Sequence, residues 1–333
     1  YCARVSDAIA AAATRAWERR VEAVFRFGSG HQEGIAFNRR FRMKGGREAT
    51  HPGKGNADIV APAGPIDPEV GVIGAFEAAS GRFLGCLVNY TCHCTVGVGG
   101  KGFSADYPYY LRRAVSAVMG QPEATVVFVN GACGDVTQVN NLAAPGAWEG
   151  GEAWGRLLGH SLAGEAIKVL SQPTTVMDVP VRSAQRVLTL RPREIPVAVV
   201  QDAEARLAAR APGAAWDSAA IFAREIVLLR DMNRQEPAVA AEVQAVRIGP
   251  TCIVANPAEY FCRFGLDIKA QSTAPYTYVV ELANGCVGYV PGYEQVIKGE
   301  GYEPRTARSS KLSPEAGETI AAAAIELVSS LVS

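Results

Sequence analysis

The 333-residue sequence predicts a single α/β domain with a mixed sheet and a helical insertion. Three features point there. β-branched runs ending in Gly, Asn or Asp alternate along the chain with alanine-rich segments of helical period. A composition of 48% hydrophobic and 20% charged residues can bury a sizeable core. Neither heptads nor an internal repeat is visible, which removes coiled coils and solenoids.

In chain order, residues 6–20 read as a helix and 21–27 (VEAVFRF) as a strand, followed by a loop over 38–56 rich in Gly, Arg and Lys. Residues 67–76 and 82–92 are apolar runs joined by Ala79-Ser80-Gly81, a hairpin whose second strand delivers His93 to a rim. A Gly-rich loop over 96–102 precedes a helix over 105–118. The strand 124–130 then runs into Gly131-Ala132-Cys133-Gly134-Asp135. A long helix is expected over 147–170, with strands within 174–190. Two charged helices, 196–210 and 214–234, read as an excursion, so the insertion spans 196–236 within one domain of residues 1–333. A hairpin over 241–248 and 251–255 turns at Gly249-Pro250. A helix starting near Glu259, a strand over 277–282 and a loop lead to a final helix over 313–332, with Ser313 at its cap and Pro314 in its first turn.

Composition narrows the function. Basic and acidic residues both number 33, so no electrostatic footprint for nucleic acid is present. Glu77 and Arg82 interrupt the apolar stretch between residues 70 and 90, leaving no transmembrane segment. The eight cysteines include no CxxC pair and read as mostly buried thiols, which leans towards a cytoplasmic over a secreted setting and leaves the compartment open. Cys92 and Cys94 flank His93, but strand alternation points them away from its imidazole.

The four histidines concentrate attention. His160 on a helix reads as packing or surface, and His51 in a basic loop as solvated. His31 ends a strand close to Asn38-Arg39-Arg40. His93 stands at a strand end before a Gly loop and Ser104-Ala105-Asp106-Tyr107. On residues alone it is either a satisfied core histidine or a ligand or base. Asp135 and Thr137 offer a carboxylate and a hydroxyl in a Gly turn open to close backbone approach, or simply an Asx-capped turn. Glu259 at a strand end fits a helix cap or a hard metal ligand. Tyr289, Tyr293 and Tyr302, in a Gly/Pro-rich stretch, form a packed lid or place phenols beside a cation.

Taken in order, six segments resemble the neutral ceramidase family and its short bacterial relatives. They are Asn38-Arg39; His93 with Ser104-Ala105-Asp106-Tyr107; Gly134-Asp135-Val136-Thr137; Pro257-Ala258-Glu259-Tyr260-Phe261; Asn284 to Tyr289; and Gly301-Tyr302-Glu303. The resemblance implies an α/β catalytic domain that holds zinc through two His, one Glu and one Tyr and hydrolyses an N-acyl amide with metal-activated water. It puts His93, Glu259 and Tyr289 on the metal, and Arg39 and Tyr302 on the scissile amide. Asp135 and Thr137 fall in the family's Gly-Asp-x-Ser-Pro-Asn motif. There Thr137 replaces the serine, and Gln138-Val139-Asn140 replaces Pro-Asn. The family's first zinc histidine, in a His-x-His motif before the opening helix, and its C-terminal immunoglobulin-like domain have no counterpart here. That histidine is expected upstream of Tyr1 or on a separate N-terminal chain. The implied partner is a small-molecule amide, ceramide or another. The departures keep two alternatives open: a catalytically inactive binding relative, and a metal-free hydrolase using Thr137 or Cys133 with His93.

Overall fold

Alternating side chains along the long strands sort into three buried clusters, and these clusters define four layers in the computed structural model, which describes residues 1–97, 102–147 and 149–332. The chain begins with α1 (Cys2–Glu18) and β1 (Ala23–His31). Short strands follow: β2 (Phe37–Asn38), β3 (Arg40–Met43), β4 (Glu48–Thr50) and β5 (Ile59–Pro62). Then come β6 (Glu69–Glu77), β7 (Phe83–Tyr90), α2 (Tyr107–Val118), β8 (Thr125–Asn130), β9 (Val136–Thr137) and α3 (Gly151–Leu170). The second half holds β10 (Val181–Leu190), α4 (Val197–Ala208), α5 (Ser218–Gln235), β11 (Val239–Ile248), β12 (Thr251–Ala255) and β13 (Ala258–Tyr260). It ends with α6 (Cys262–Gln271), β14 (Tyr276–Val280), β15 (Gly288–Val290), α7 (Tyr293–Lys298) and α8 (Ala316–Val332).

The expected mixed-sheet α/β architecture is present, built on two four-stranded sheets ordered β1-β6-β7-β8 and β10-β11-β12-β14. In each, the first three strands are antiparallel and the fourth is parallel to the third. A crossover helix joins third to fourth strand, α2 in one half and α6 in the other, and a longer helix, α3 or α8, follows the fourth. The halves thus repeat one topology that no sequence repeat betrays. Each also carries its excursion between its first two strands, the small strands β2 to β5 in the first half and the hairpin α4–α5 in the second.

Val70, Val72 and Val88 of the first sheet are buried with Leu111 of α2 and with Leu158 and Leu162 of α3. Cys252, Val254 and Val279 of the second are buried with Ile320, Leu327 and Val328 of α8. The opposite faces meet between the sheets, where Phe27, Ile73 and Tyr278 pack with Leu87 and Ile253. Helix, sheet, sheet, helix is the result. Tyr278 pins the sheets together: its buried hydroxyl donates to the Gly28 carbonyl at 2.7 Å and accepts the Val72 N–H at 3.2 Å.

Three expectations change. The loop over 38–56 contains β3 and β4, which pair with β5 as a three-stranded sheet. Glu259 lies on β13, not at a helix start, and α6 begins at Cys262. α1 covers Cys2–Glu18, not residues 6–20, and none of its residues is buried. The expected Gly-rich loop over 96–102 falls partly outside the described residues. All eight cysteines are free thiols, five of them buried.

Tyr278→Phe leaves a buried N–H and a buried carbonyl without their shared partner. It should lower stability by about 1–3 kcal/mol. Urea denaturation measures this, and an unchanged midpoint would contradict the pinning role.

Candidate metal centre

Both sheets send their third strand to the same edge, and the candidate ligands sit just past it. His93 follows β7, and Glu259 follows β12. Glu281, one residue beyond β14, donates its N–H to the carbonyl of Asn130 at the end of β8, at 3.1 Å, so the carboxyl ends of the parallel strands converge. Such strand ends are where α/β proteins bind ligands.

The Val136 carbonyl accepts both the backbone N–H of His93 (3.2 Å) and its ring Nδ1–H (3.1 Å). A carbonyl can only accept, so Nδ1 carries a proton and Nε2 is the ring nitrogen that faces outward, 3.4 Å from Glu259 Oε2. Parallel pairing of β13 with β15 sets Glu259 directly beside Tyr289. The Tyr289 phenol lies near enough to the Glu259 carboxylate to help lower its pKa. Burial opposes charge on Glu259, but His93 and Tyr289 outweigh it and hold the carboxyl below the usual range. Burial also raises the Tyr289 pKa, with Glu259 adding to it against the pull of Arg39, so the phenol keeps its proton. Gly134 permits the close approach: its N–H reaches the Tyr260 carbonyl at 2.8 Å, and a Cβ there would lie 2.5 Å from the Glu259 carbonyl oxygen.

Arg39 is aimed at this group by three anchors. Its N–H donates to the Asp135 carbonyl (2.9 Å), its Nη2 to the Gly134 carbonyl (2.7 Å) and its Nε to Glu303 Oε1 (2.7 Å). The guanidinium lies 5.5 Å from the centre of the Tyr289 ring. Burial works against its charge, and Glu303 and then Tyr289 more than compensate, so its pKa is raised. Glu303 is wholly buried and also accepts Arg40 Nη1 at 2.8 Å and Thr50 Oγ1 at 2.7 Å. Burial disfavours its charge, yet the two arginines hold its carboxyl below the ordinary range. Tyr302 stands at the mouth, 50% exposed, its ring edge-on to Tyr289 at 5.7 Å and to Phe222 of α5 at 6.4 Å.

The other two singled-out residues, Asp135 and Thr137, are buried and bonded within the protein. Asp135 is buried with Oδ1 accepting the Cys262 N–H (2.8 Å) and Oδ2 the Asn38 amide (2.7 Å). Burial raises its pKa in spite of those bonds. Thr137, on β9, gives its hydroxyl to Gln138 Oε1 at 2.8 Å. Asp135 and Thr137 therefore hold the turn that carries Gly134 and Val136. Of the remaining histidines, His31 pairs with Glu33 at the surface and His160 is exposed on α3.

Sequence reasoning did not single out Glu281, which follows the apolar run of β14, or Glu303, which follows Tyr302 in a Gly-containing loop. Glu281 is buried, and its Oε2 accepts the N–H groups of Cys133 and Tyr260, both at 2.9 Å. Its Oε1 takes the Cys133 thiol at 2.9 Å. Burial pushes its carboxyl up to about 7, against the pull of His93 and the donors. Donor atoms of His93, Cys133 and Glu281 all lie within 4.8 Å of one another, a second set that could hold a metal ion. That set is internally satisfied. Burial and Glu281 raise the Cys133 pKa well above the ordinary thiol value, so the sulfur keeps the proton it donates. The same effect argues against Cys133 as a nucleophile. His93, Glu259 and Tyr289, an N/O/O set with a ring already oriented, fit a catalytic zinc better.

Two solved structures share this fold. A neutral ceramidase from Pseudomonas aeruginosa matches 98% of this chain and 55% of its own, with a TM-score of 0.66 and 16% identity. A structure described as ceramidase complexed with C2 matches 96% of this chain and 55% of its own, with a TM-score of 0.65 and 15% identity. The chain spans about half the length of these structures. The fold is therefore that of neutral ceramidase, in agreement with the motif resemblance. No family profile and no curated protein matches the sequence. Among the described residues, no helix is long and apolar enough to cross a membrane. Both matches run within single chains, so nothing supports a separate chain supplying a histidine, and that expectation is withdrawn.

Glu303→Gln strands two buried arginines and should cost about 3–5 kcal/mol at neutral pH. The folded-state pKa of Glu303 is depressed, so its charge contributes fully above about pH 4 and its contribution is lost as pH falls through the folded value. The stability gap between wild type and variant should therefore narrow in acid. Urea titrations at neutral and acidic pH measure it, and a pH-independent gap would contradict the clamp.

Proposed function

We propose that the protein is a zinc-dependent hydrolase of an amide bond, acting on an N-acyl amide or related small molecule. The observation that carries this reading is the convergence of His93 Nε2, the Glu259 carboxylate and the Tyr289 phenol beside the fixed cation of Arg39. A zinc ion held by those three donors would supply Lewis acidity and water whose pKa is lowered to about 7.

The chain's own residues perform the rest. Val136 fixes the His93 ring, so its donor nitrogen needs no reorganisation. Arg39 carries a permanent charge on a guanidinium already tied to Gly134 and Glu303, which preorganises it for the oxyanion that develops as a carbonyl is attacked. Tyr302, exposed at the mouth, supplies a phenol donor to the amide carbonyl before the reaction and to the oxyanion after it. Glu303 acts through Arg39 and is a positioning residue. The likeness to ceramidase structures supports an N-acyl amide as substrate.

Elemental analysis and hydrolysis of a chromogenic N-acyl amide test this together. The wild type should hold zinc and lose activity to a chelator. Glu259→Gln should lose both metal and turnover, and full zinc occupancy in that variant would contradict its role as ligand. Arg39→Ala should keep zinc and lose on the order of a hundredfold in kcat. Unchanged turnover would remove Arg39 from the mechanism.

A further inference from the structure

His51, on the basic loop, accounts for none of the proposed chemistry, yet its surroundings are those of a site residue. Its backbone N–H donates to the Arg39 carbonyl at 2.9 Å. The preceding residue, Thr50, donates to Glu303 and accepts the Tyr302 N–H at 3.0 Å, so the peptide bearing His51 is built into the clamp that holds Arg39. The residue adopts φ +47°, a left-handed conformation uncommon outside glycine.

The side chain is equally constrained at one end. Nδ1 accepts the Asn141 amide at 3.3 Å, and Asn141 is itself buried, with its carbonyl taking the Gly55 N–H at 3.1 Å. An accepting Nδ1 puts the ring proton on Nε2. Among the described residues, Nε2 has no protein partner, and the side chain opens to solvent. Partial enclosure of the ring, then the charge of Arg39, lower its pKa, against the pull of Glu303 and with His93 adding to the lowering. The titratable and charged groups near it are therefore Arg39, Glu303 and His93, and the lowered pKa favours the neutral ring.

We infer that His51 is a substrate-binding residue of this site, its Nε2–H donating a hydrogen bond to an acceptor oxygen of the amide substrate next to the scissile group. A neutral donor is what the position calls for, because a second cation beside Arg39 would be repelled by it. The inference rests on the proposed amidase reading. Asn141 acts through His51 and is a positioning residue.

Three variants of the zinc-loaded protein test it, assayed with a chromogenic N-acyl amide, with zinc content and thermal midpoint measured alongside. His51→Leu should lower kcat/KM roughly tenfold, the usual loss of one neutral hydrogen bond, with zinc content unchanged. His51→Gln, which retains a donor, should restore most of it. Asn141→Asp should make Nδ1 a donor and raise the His51 pKa, read by NMR titration of the ring. The acid limb of kcat/KM should move up with it. Unchanged kcat/KM in His51→Leu, with wild type active, overturns the His51 assignment alone. Zinc loss in that variant also overturns it, making His51 a ligand. A wild type without chelator-sensitive hydrolysis overturns the amidase reading and the His51 assignment with it. In that case the NMR titration of Asn141→Asp still reports whether the Asn141–His51 bond is as described.

Discussion

A carboxylate shut off from water has to find its compensation in place, and Glu303 finds it in Arg39, Arg40 and Thr50. Removing one member of such a buried cluster leaves an uncompensated charge, at a cost far beyond that of a surface pair. The cluster therefore behaves as a rivet between the C-terminal part of the chain and the small sheet of β3 to β5. Everything that faces the candidate ligands from that side inherits its position from the rivet: the guanidinium of Arg39, the mouth residue Tyr302 and the peptide at His51.

The opposite side of the site is set by the repeated topology. Each half brings its third strand and its crossover-linked fourth strand to one edge, and the two edges are stitched together by Glu281. Its N–H meets the end of β8, while its carboxyl gathers the N–H groups of Cys133 and Tyr260. His93 and Glu259 hold corresponding places just beyond the third strands. Their meeting is thus a property of how two similar halves dock, with Tyr278 fixing the sheet-to-sheet contact further back. The two excursions lie between corresponding strands and both reach the mouth, one through Thr50 and His51, the other through Phe222 against Tyr302.

What the sequence makes legible follows from how local each feature is. The long strands, the helices α2 to α5 and the placement of His93 at a rim rest on periodicity within a few residues, and the structure agrees. Glu259 is recognisable as a hard ligand, but β13 has three residues and no readable period, so a helix start is the natural misreading. β3 and β4 hide in a loop-like composition for the same reason. Glu281 with Cys133, and Glu303 with Arg40, are joined across 148 and 263 residues, and no local pattern announces such pairs. His51 is exposed, as its basic loop suggests, but its bond to Asn141, 90 residues away, has no local sign. The motif resemblance supplied what local reasoning could not: the expectation that Glu259, Tyr289 and His93 form one set.

Two donor sets share His93, one built with Glu259 and Tyr289 and one with Cys133 and Glu281, and they differ in the element bound to the metal. X-ray absorption at the zinc edge of the metal-loaded protein separates them directly. A shell of nitrogen and oxygen at about 2.0–2.2 Å with no sulfur is the expected result. A sulfur scatterer at about 2.3 Å would put the cation on Cys133 and contradict the assignment of Glu259 and Tyr289.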